Sequence, residues 1–282
     1  MSKVKVVVTS TSGVDYLPFK DEVEILRLKV NFNNQEYVDF LELNAGDFYN
    51  KLLEKPNADV STSQVPVGEM VEAFERLKGE GYTDLIVIAL SSELSGTYQA
   101  VLLAKDMVEG INIVPFDSKS VAVGESFLAE RALELLKKGV SVVDVISELQ
   151  KIRDKIKILV LVDTLKYLVK NGRLSATSGL LGSLLKIKPL LHIQPDGRLV
   201  PLEKIRTTTK AQKRLMEIFF KEVEGKKVKT YIIYTTNELR AEEIKQLILA
   251  QRPDITVDLL PLTPVVGAHA GPGTLGLGNI LE

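Results

Sequence analysis

One stretch of the chain decides the fold: Leu85-Ile-Val-Ile-Ala89, with the loop that follows it, Leu90-Ser91-Ser92-Glu93-Leu94-Ser95-Gly96. A short, unbroken apolar run with β-branched residues is typical of a strand that is buried on both faces of a sheet. An amphipathic helical pattern, Thr97–Val108, comes directly after the loop. The stretch therefore predicts a strand, a polar loop and a helix, which are the parts of a parallel β-α-β unit.

The alternation of strand and helix patterns continues on both sides of this unit. Up to residue 162 the sequence predicts further strands and helices at Val4–Val8, Val67–Gly79, Ile111–Phe116, Gly124–Lys138, Val142–Ile152 and Ile158–Val162. Later elements, which include a hairpin turning at Pro195-Asp196-Gly197, are predicted at Leu165–Asn171, Leu190–Ile193, Leu199–Leu202, Thr209–Val223, Tyr231–Tyr234, Leu239–Gln251 and Thr256–Leu260. The predicted fold class is α/β, with two α/β domains at residues 1–156 and 157–282 and a mainly parallel sheet in the first.

Composition excludes several classes of function. The 282 residues carry 36 Lys+Arg against 37 Asp+Glu, a net charge of -1, so no overall basic field is present to hold nucleic acid. The chain has no cysteine, which excludes disulfides, thiolate metal sites and cysteine nucleophiles. Only two histidines are present, and we expect no metal site. Because no apolar run is long enough to span a bilayer, we expect a cytoplasmic protein.

The first polar loop, Val60-Ser61-Thr62-Ser63-Gln64-Val65-Pro66, precedes the predicted helix Val67–Gly79. A Ser or Thr at this place commonly caps the helix, because its oxygen accepts a hydrogen bond from a free N–H of the first turn. Three hydroxyl residues in a row exceed what one cap needs, so a surplus donor for a ligand is the alternative. The residues alone favour the cap.

The second polar loop contains Ser92, Ser95 and Gly96 and follows the carboxyl end of the predicted strand Leu85–Ala89. In open α/β sheets this end of the strands is where ligands bind. A helix start adds unpaired N–H groups and a partial positive charge, which suit a carboxylate or a phosphate. Gly96 would let such a ligand approach the backbone closely, although capping alone could explain Ser95.

The third loop is rich in glycine and runs from Thr263 to Gly278, where it is expected to lie after the last strand. Five of its residues between Gly267 and Gly278 are glycines, a density that usually means that the backbone passes very close to something else. A lone histidine is more often structural than functional, and this is the interpretation for His192, which lies in an apolar run. The neighbours of His269 are small and leave its imidazole open to a ligand.

An enzyme that uses a Ser–His pair is the alternative to a binding protein. Ser92 or Ser95 with His269 as the base would form a hydrolase or acyltransferase, but the chain has no G-x-S-x-G elbow. It also has no phosphate-binding loop of the G-x-x-x-x-G-K-[ST] type and no G-x-G-x-x-G that links a strand to a helix. The sequence therefore gives little support to catalysis by this chain alone.

Taken together, the loops and several further motifs resemble those of the DegV family, bacterial fatty-acid-binding proteins, over nearly the whole chain. The residues that carry the resemblance are Thr62-Ser63-Gln64, Ser91-Ser92-Glu93-Leu94-Ser95-Gly96-Thr97-Tyr98-Gln99, Asp117-Ser118, Tyr167-Leu168-Val169-Lys170-Asn171-Gly172-Arg173, Leu185-Lys186-Ile187-Lys188-Pro189-Leu190-Leu191 and Gly267-Ala-His-Ala-Gly-Pro-Gly273. One motif departs from the family: Thr9-Ser10-Thr11 stands where the family has Asp-Ser-Thr.

The resemblance implies that the protein carries one long-chain fatty acid, with no other cofactor. The carboxylate would lie near the domain interface, held by Thr62, Ser92 or Ser95, Gly96 and His269, and residues 1–156 would form the tunnel for the tail. Some family members present the bound carboxylate to a separate ATP-binding subunit of a fatty acid kinase, which converts it to an acyl phosphate. The chain itself would then not be an enzyme.

Two arginines are candidates for contacts beyond the fatty acid. Arg173 follows a predicted helix end, where the helix dipole alone favours a cation. Arg206 lies in a basic run with Lys204 and Lys210, and such a run is usually a solvated surface. By resemblance, arginines in these regions would face the kinase partner, its phosphate or a membrane surface, while no contact with nucleic acid is expected.

Overall fold

The elements of the fold are described over residues 3–174 and 187–281 of the chain, in a computed structural model. The strands of these residues are β1 (Val4–Thr9), β2 (Glu24–Leu26), β3 (Lys29–Phe32), β4 (Gln35–Val38), β5 (Val60–Ser63), β6 (Asp84–Ala89), β7 (Asn112–Asp117), β8 (Ile156–Leu161), β9 (Lys188–Ile193), β10 (Leu199–Ile205), β11 (Val228–Tyr234), β12 (Thr256–Pro261) and β13 (Leu275–Leu281). The α-helices are α1 (Ala45–Glu54), α2 (Val67–Gly79), α3 (Thr97–Asp106), α4 (Val123–Lys137), α5 (Val142–Arg153), α6 (Lys166–Lys170), α7 (Thr208–Val223), α8 (Glu238–Gln251) and α9 (Pro264–Ala270).

The first sheet is parallel, with the strand order β2-β1-β6-β7. Its middle strands are rich in apolar residues, and Leu85 to Ala89 of β6 are fully buried. The predicted parallel β-α-β unit is confirmed here, since α3 connects β6 to β7. A small antiparallel sheet, β4-β3-β5, lies between β2 and α2 in the chain.

The second large sheet has six strands in the order β10-β9-β8-β13-β11-β12 and is mixed. Only β11 and β12 pair in parallel among its described neighbours. The predicted hairpin is β9 and β10, and Gly197 in its turn has φ +98°, a value that glycine adopts without strain. All strands of this sheet lie at or beyond Ile156. The predicted division at residues 156 and 157 thus coincides with a change of sheet, while the independence of two domains stays a prediction.

Helix α4 packs between the two large sheets. It contacts β1 and β6 on one side and β8 and β13 on the other. A side chain on Gly278 of β13 would overlap Val123 at the start of α4, so glycine permits this close approach. Helices α7 and α8 cover the opposite face of the six-stranded sheet with a separate apolar core.

Two interpretations of the sequence are wrong. The first polar loop is largely the strand β5, because Ser61, Thr62 and Ser63 pair with β3, and the N-cap residue of α2 is Pro66, with no side-chain cap. The glycine-rich loop is the helix α9 followed by β13, which is a central strand of the six-stranded sheet. The small-residue segment 179–186 lies outside the described residues.

Candidate functional site

A cavity of about 280 Å³ lies between the carboxyl ends of the parallel strands and one face of the six-stranded sheet. Thr11, Leu28, Leu90 and Ala122 enter it from the loops after β1, β2, β6 and β7. The six-stranded sheet contributes Ile158, Val160, Ile193, Leu199 and Ile233, and α9 contributes Val265, Val266, His269 and Ala270. Residues on both sides of position 156 therefore line the cavity. The sequence assigns the tail tunnel to residues 1–156, whereas the apolar face of the second sheet also lines this cavity and closes it.

Apart from the buried Thr11, the polar residues of the lining are gathered where the cavity meets solvent. Thr62, Ser95, Arg173 and His269 are half-buried, and Gln64 and Gly96 are exposed. The aliphatic residues of the lining are mostly buried, among them Leu28, Ile158, Val162, Leu168, Ile233, Leu262 and Val265. The cavity thus has a polar mouth and an apolar interior, as is usual for sites that orient a small molecule by a few polar groups.

His269 and Thr62 meet across the mouth although 207 residues separate them in the chain. Thr62 Oγ1 lies 2.8 Å from His269 Nε2, and the two residues come from β5 and α9. Burial first, and then the charge of Arg173, lowers the pKa of His269 to about 4, so the imidazole is neutral at pH 7. The other ring nitrogen, Nδ1, is buried and has no hydrogen-bond partner within the described part of the chain.

A neutral imidazole bonded to Thr62 leaves one proton for a ligand in either tautomer. If Nε2 carries the hydrogen, it donates to Thr62, and the threonine O–H is free to donate onward. If Nδ1 carries the hydrogen, Thr62 donates to Nε2 and the Nδ1–H is free. One hydrogen of the pair is therefore unused in either tautomer, on the Thr62 hydroxyl or on the buried Nδ1.

The second polar loop places its two candidate serines differently. Ser95 lines the cavity, and its Oγ accepts from the N–H of Thr97 at 3.2 Å, so it also serves the start of α3. Ser92 does not line the cavity; its Oγ donates to Asp117 Oδ2 at 2.7 Å. Gly96 is the N-cap residue of α3 with φ −71°, a value open to any residue. A Cβ there would lie 2.6 Å from Gln64 Oε1, so the glycine allows the Gln64 side chain to lie close to the backbone at residue 96.

Arg173 brings a positive charge to the mouth. Its Nε donates to the carbonyl of Leu94 at 3.2 Å, and one terminal nitrogen donates to the carbonyl of Asn171 at 2.6 Å. Both acceptors are neutral, and the structure gives this guanidinium no carboxylate partner among the described residues. Arg206 is exposed, lies between β10 and α7, and is not part of the cavity lining.

Sequence reasoning missed Gln64 as a site residue and missed the aliphatic half of the cavity. Gln64 belongs to the motif Thr62-Ser63-Gln64, which carries the family resemblance, and this membership could have identified it as a site residue. His192 lies on β9 away from the lining, in agreement with its interpretation as structural. Within residues 3–174 and 187–281 no group of three or more His, Asp or Glu side chains could hold a metal ion. No helix in those ranges is both long and apolar enough to cross a membrane.

The fold and the cavity together define an α/β protein with a small-molecule site between two sheets. A family model described as "Uncharacterised protein, DegV family" matches residues 3–282. The chain belongs to the DegV family. It is 37% identical to a DegV domain-containing protein of Halalkalibacterium halodurans over 284 residues, which covers 100% of both chains.

Two solved structures show the same fold along the whole chain. One is DegV of Bacillus subtilis, described as a fatty acid binding protein, with 33% identity, a TM-score of 0.92 and 100% of each chain covered. The other, from Thermus thermophilus, was reported for the fatty acid binding of a DegV family protein. It has 27% identity and a TM-score of 0.90, and the match covers 99% of this chain and 100% of the other. The predicted family and fold class are confirmed.

Proposed function

We propose that this protein binds one long-chain fatty acid non-covalently in the cavity and presents its carboxylate to a separate ATP-dependent kinase subunit. The observation that carries the proposal is the division of the cavity into a polar, solvent-facing mouth and a buried aliphatic interior. A fatty acid has the same division, with a charged head and an apolar tail. The fatty acid binding described for the related structures adds support.

The head would be held by Thr62, Ser95, Gly96 and His269. A carboxylate taken out of water is costly unless its oxygens receive several hydrogen bonds. The Thr62–His269 pair offers one proton, the Ser95 hydroxyl offers another, and the backbone at Gly96 stands at the positive end of α3. The guanidinium of Arg173 adds charge attraction from the same side of the mouth. Ser92 is the weaker candidate because its hydroxyl is occupied by Asp117.

The tail would supply most of the affinity. Each buried methylene contributes roughly 0.8 kcal/mol, so a chain of about 16 carbons gains on the order of 10 kcal/mol before entropy costs. A hydrogen bond to a charged group contributes about 1.5–3 kcal/mol. The head contacts therefore fix the orientation of the fatty acid, while the aliphatic lining retains it.

Presentation to a kinase needs a carboxylate that an external phosphoryl donor can reach. The mouth meets that need, because Gln64 and Gly96 are exposed beside the proposed head position. Arg206 is exposed without an ion pair in the described ranges, and we assign it to contact with the kinase partner or transiently with a membrane surface.

A serine hydrolase is disfavoured by the geometry of the same residues. The hydrogen bond of His269 goes to Thr62, while Ser92 is bonded to Asp117 and Ser95 lies 2.9 Å from Thr97 Oγ1. No Ser–His hydrogen bond is present among the residues described. The groups at the mouth therefore suit hydrogen bonding to a carboxylate better than they suit a nucleophile with its base.

Native mass spectrometry of the freshly purified protein, followed by lipid analysis after denaturation, tests the proposal. The expected result is a one-to-one adduct with the mass of a long-chain fatty acid. A variant with a narrowed cavity, V160F, is expected to carry less of it. An apo mass for the wild-type protein, with no uptake of fatty acid on incubation, would refute the proposal, and a serine-reactive fluorophosphonate would then test the hydrolase alternative.

A further inference from the structure

A buried carboxyl group, Glu125, closes a ring of hydrogen bonds with two threonines beside the cavity. Thr9 Oγ1 contacts one oxygen of the Glu125 carboxyl, and Thr11 Oγ1 lies 2.7 Å from the other. The two threonine oxygens lie 2.7 Å from each other. All three side chains are buried.

The number of protons needed by this ring can be counted. Three oxygen–oxygen contacts of hydrogen-bond length need three hydrogens, and the two threonine hydroxyls supply two. If the carboxyl were ionised, both hydroxyls would donate to it, and the two threonine oxygens would then face each other at 2.7 Å without a hydrogen between them. A protonated carboxyl supplies the third hydrogen, and each group then donates once around the ring, in one sense or the other. No other acceptor for either hydroxyl is present in the described part of the chain.

We propose that Glu125 is a positioning residue that holds a proton at neutral pH, and that its ionisation at alkaline pH weakens binding of the acyl ligand. The second half rests on the proposed function. Two effects lead to it: an ionised Glu125 opens the Thr9–Thr11 contact, and it places a negative charge behind the wall of a cavity that takes an anion.

The surroundings of Glu125 agree with a neutral carboxyl. Burial raises its pKa to about 8, against the opposing effect of the hydrogen bonds from Thr9, Thr11 and the backbone of Ala122. No charged group in the described part of the chain contributes to this shift. Other titratable groups near the cavity are the buried Asp39, Tyr49 and Tyr167 and the half-buried His269, and none of them contributes to the pKa shift of Glu125.

The ring is joined directly to the cavity lining. Thr11 and Ala122 both line the cavity, and Glu125 lies in the first turn of α4, three residues after Ala122. Ala122 has φ +55°, an unfavourable conformation for an L-residue that its surroundings must hold. A second bond, from Ser126 Oγ to the carbonyl of Ser12 at 2.6 Å, ties the same turn of α4 to the same loop. Opening the ring would therefore loosen two segments of the wall.

The first test needs no ligand. In protein labelled with carboxyl-¹³C glutamate, the resonance that disappears in E125Q is followed through a pH titration of the wild type. A midpoint above pH 7 is expected, and a midpoint near the ordinary pKa of glutamate overturns the proposal. If E125Q fails to fold, the variant T11S replaces it. T11S keeps a hydroxyl next to the Glu125 carboxyl, and the glutamate resonance that shifts in this variant is assigned to Glu125.

The second test measures affinity for the fluorescent fatty acid cis-parinaric acid, using delipidated protein, from pH 7 to pH 9. A ligand that binds only the protonated protein loses about tenfold in affinity per pH unit above the pKa, so a loss of about tenfold is expected by pH 9. The amide of E125Q can close the ring without titrating, and its profile is expected to lack this loss. The matched control E130Q lies on the same helix, at a residue paired with Lys229 outside the cavity lining, and should follow the wild type.

The outcomes separate the two proposals. Identical pH profiles in wild type, E130Q and E125Q overturn the role of Glu125 while fatty acid binding stands. Absence of binding in every variant at every pH refutes the proposed function and the ligand half of this inference, and the ¹³C titration still decides whether Glu125 holds a proton.

Discussion

Replacing His269 by alanine tests the head of the proposed site. The substitution removes the ring nitrogen that lies 2.8 Å from Thr62 Oγ1 and the buried, unpartnered Nδ1. A hydrogen bond to a charged acceptor is worth about 1.5–3 kcal/mol, which corresponds to an affinity about 10- to 150-fold weaker. The tail contribution, on the order of 10 kcal/mol, is untouched. H269A should therefore bind fatty acid weakly rather than not at all.

Isothermal titration calorimetry of delipidated protein measures this loss of affinity and also the number of protons that the protein takes up on binding. The pKa of His269 is about 4 in the free protein, so the ring is neutral at pH 7. A carboxylate bound beside it favours the imidazolium and raises that pKa. At pH 7 the ring stays neutral, but titrations near pH 5, in two buffers of different ionisation enthalpy, should show more proton uptake on binding by the wild type than by H269A.

The matched control is the other histidine. H192A removes a half-buried imidazole from β9, away from the cavity lining, and is expected to leave affinity and proton uptake at wild-type values. If H269A binds as tightly as H192A, the assignment of His269 to the carboxylate is refuted. Acyl-phosphate formation with a kinase subunit should fall further than affinity in H269A, because transfer depends on the position of the carboxylate oxygen.

Three further substitutions probe the rest of the site. S95A should weaken fatty acid binding in the same calorimetric assay by up to about 3 kcal/mol, whereas S92A should not; equal losses would contradict the choice between the two serines. V160F places an aromatic ring in the aliphatic cavity and should shift the co-purified lipids toward shorter chains, and an unchanged chain distribution by mass spectrometry would argue against Val160 facing the tail. R206E should lower acyl-phosphate formation without releasing the lipid, and unaltered formation would remove Arg206 from the partner surface.

Long, regular elements of this fold could be predicted from local pattern alone. The helix Val67–Gly79 has the predicted bounds, and the strands of both large sheets beyond residue 80 were located within a few residues except for β13. Residues 10–59 gave no prediction. They include α1 (Ala45–Glu54), whose apolar residues Ala45, Phe48, Tyr49 and Leu52 have helical spacing and were overlooked. The other elements are strands of three or four residues and single 3₁₀ turns, such as Glu24–Leu26 and Ser10–Ser12, and these are too short for a hydrophobic period to show.

The errors have a common cause in contacts between distant segments. Ser61 to Ser63 form a strand because β3 offers them a partner, and nothing within the loop itself indicates that pairing. Gly276 and Gly278 suggest a loop, yet they lie in a central strand because α4 and Ile233 come too close for side chains there. The Thr62–His269 contact likewise joins two elements whose proximity only the complete fold determines, so at the sequence level the family resemblance alone connected them.

The placement of the polar groups bears on how one chain could both retain a fatty acid and present it. A site that buried the head completely would need compensation for a buried charge and would hide the oxygen that must react. Here neutral donors and one half-buried arginine stand at a solvent-facing mouth, and the buried part of the lining is aliphatic. Under the proposed function, retention would depend on the length of the tail, and reactivity would depend on the head. The neutral state of His269 fits this division, because a weakly basic ring can hold the carboxylate by one hydrogen bond without neutralising the nucleophile with a full positive charge.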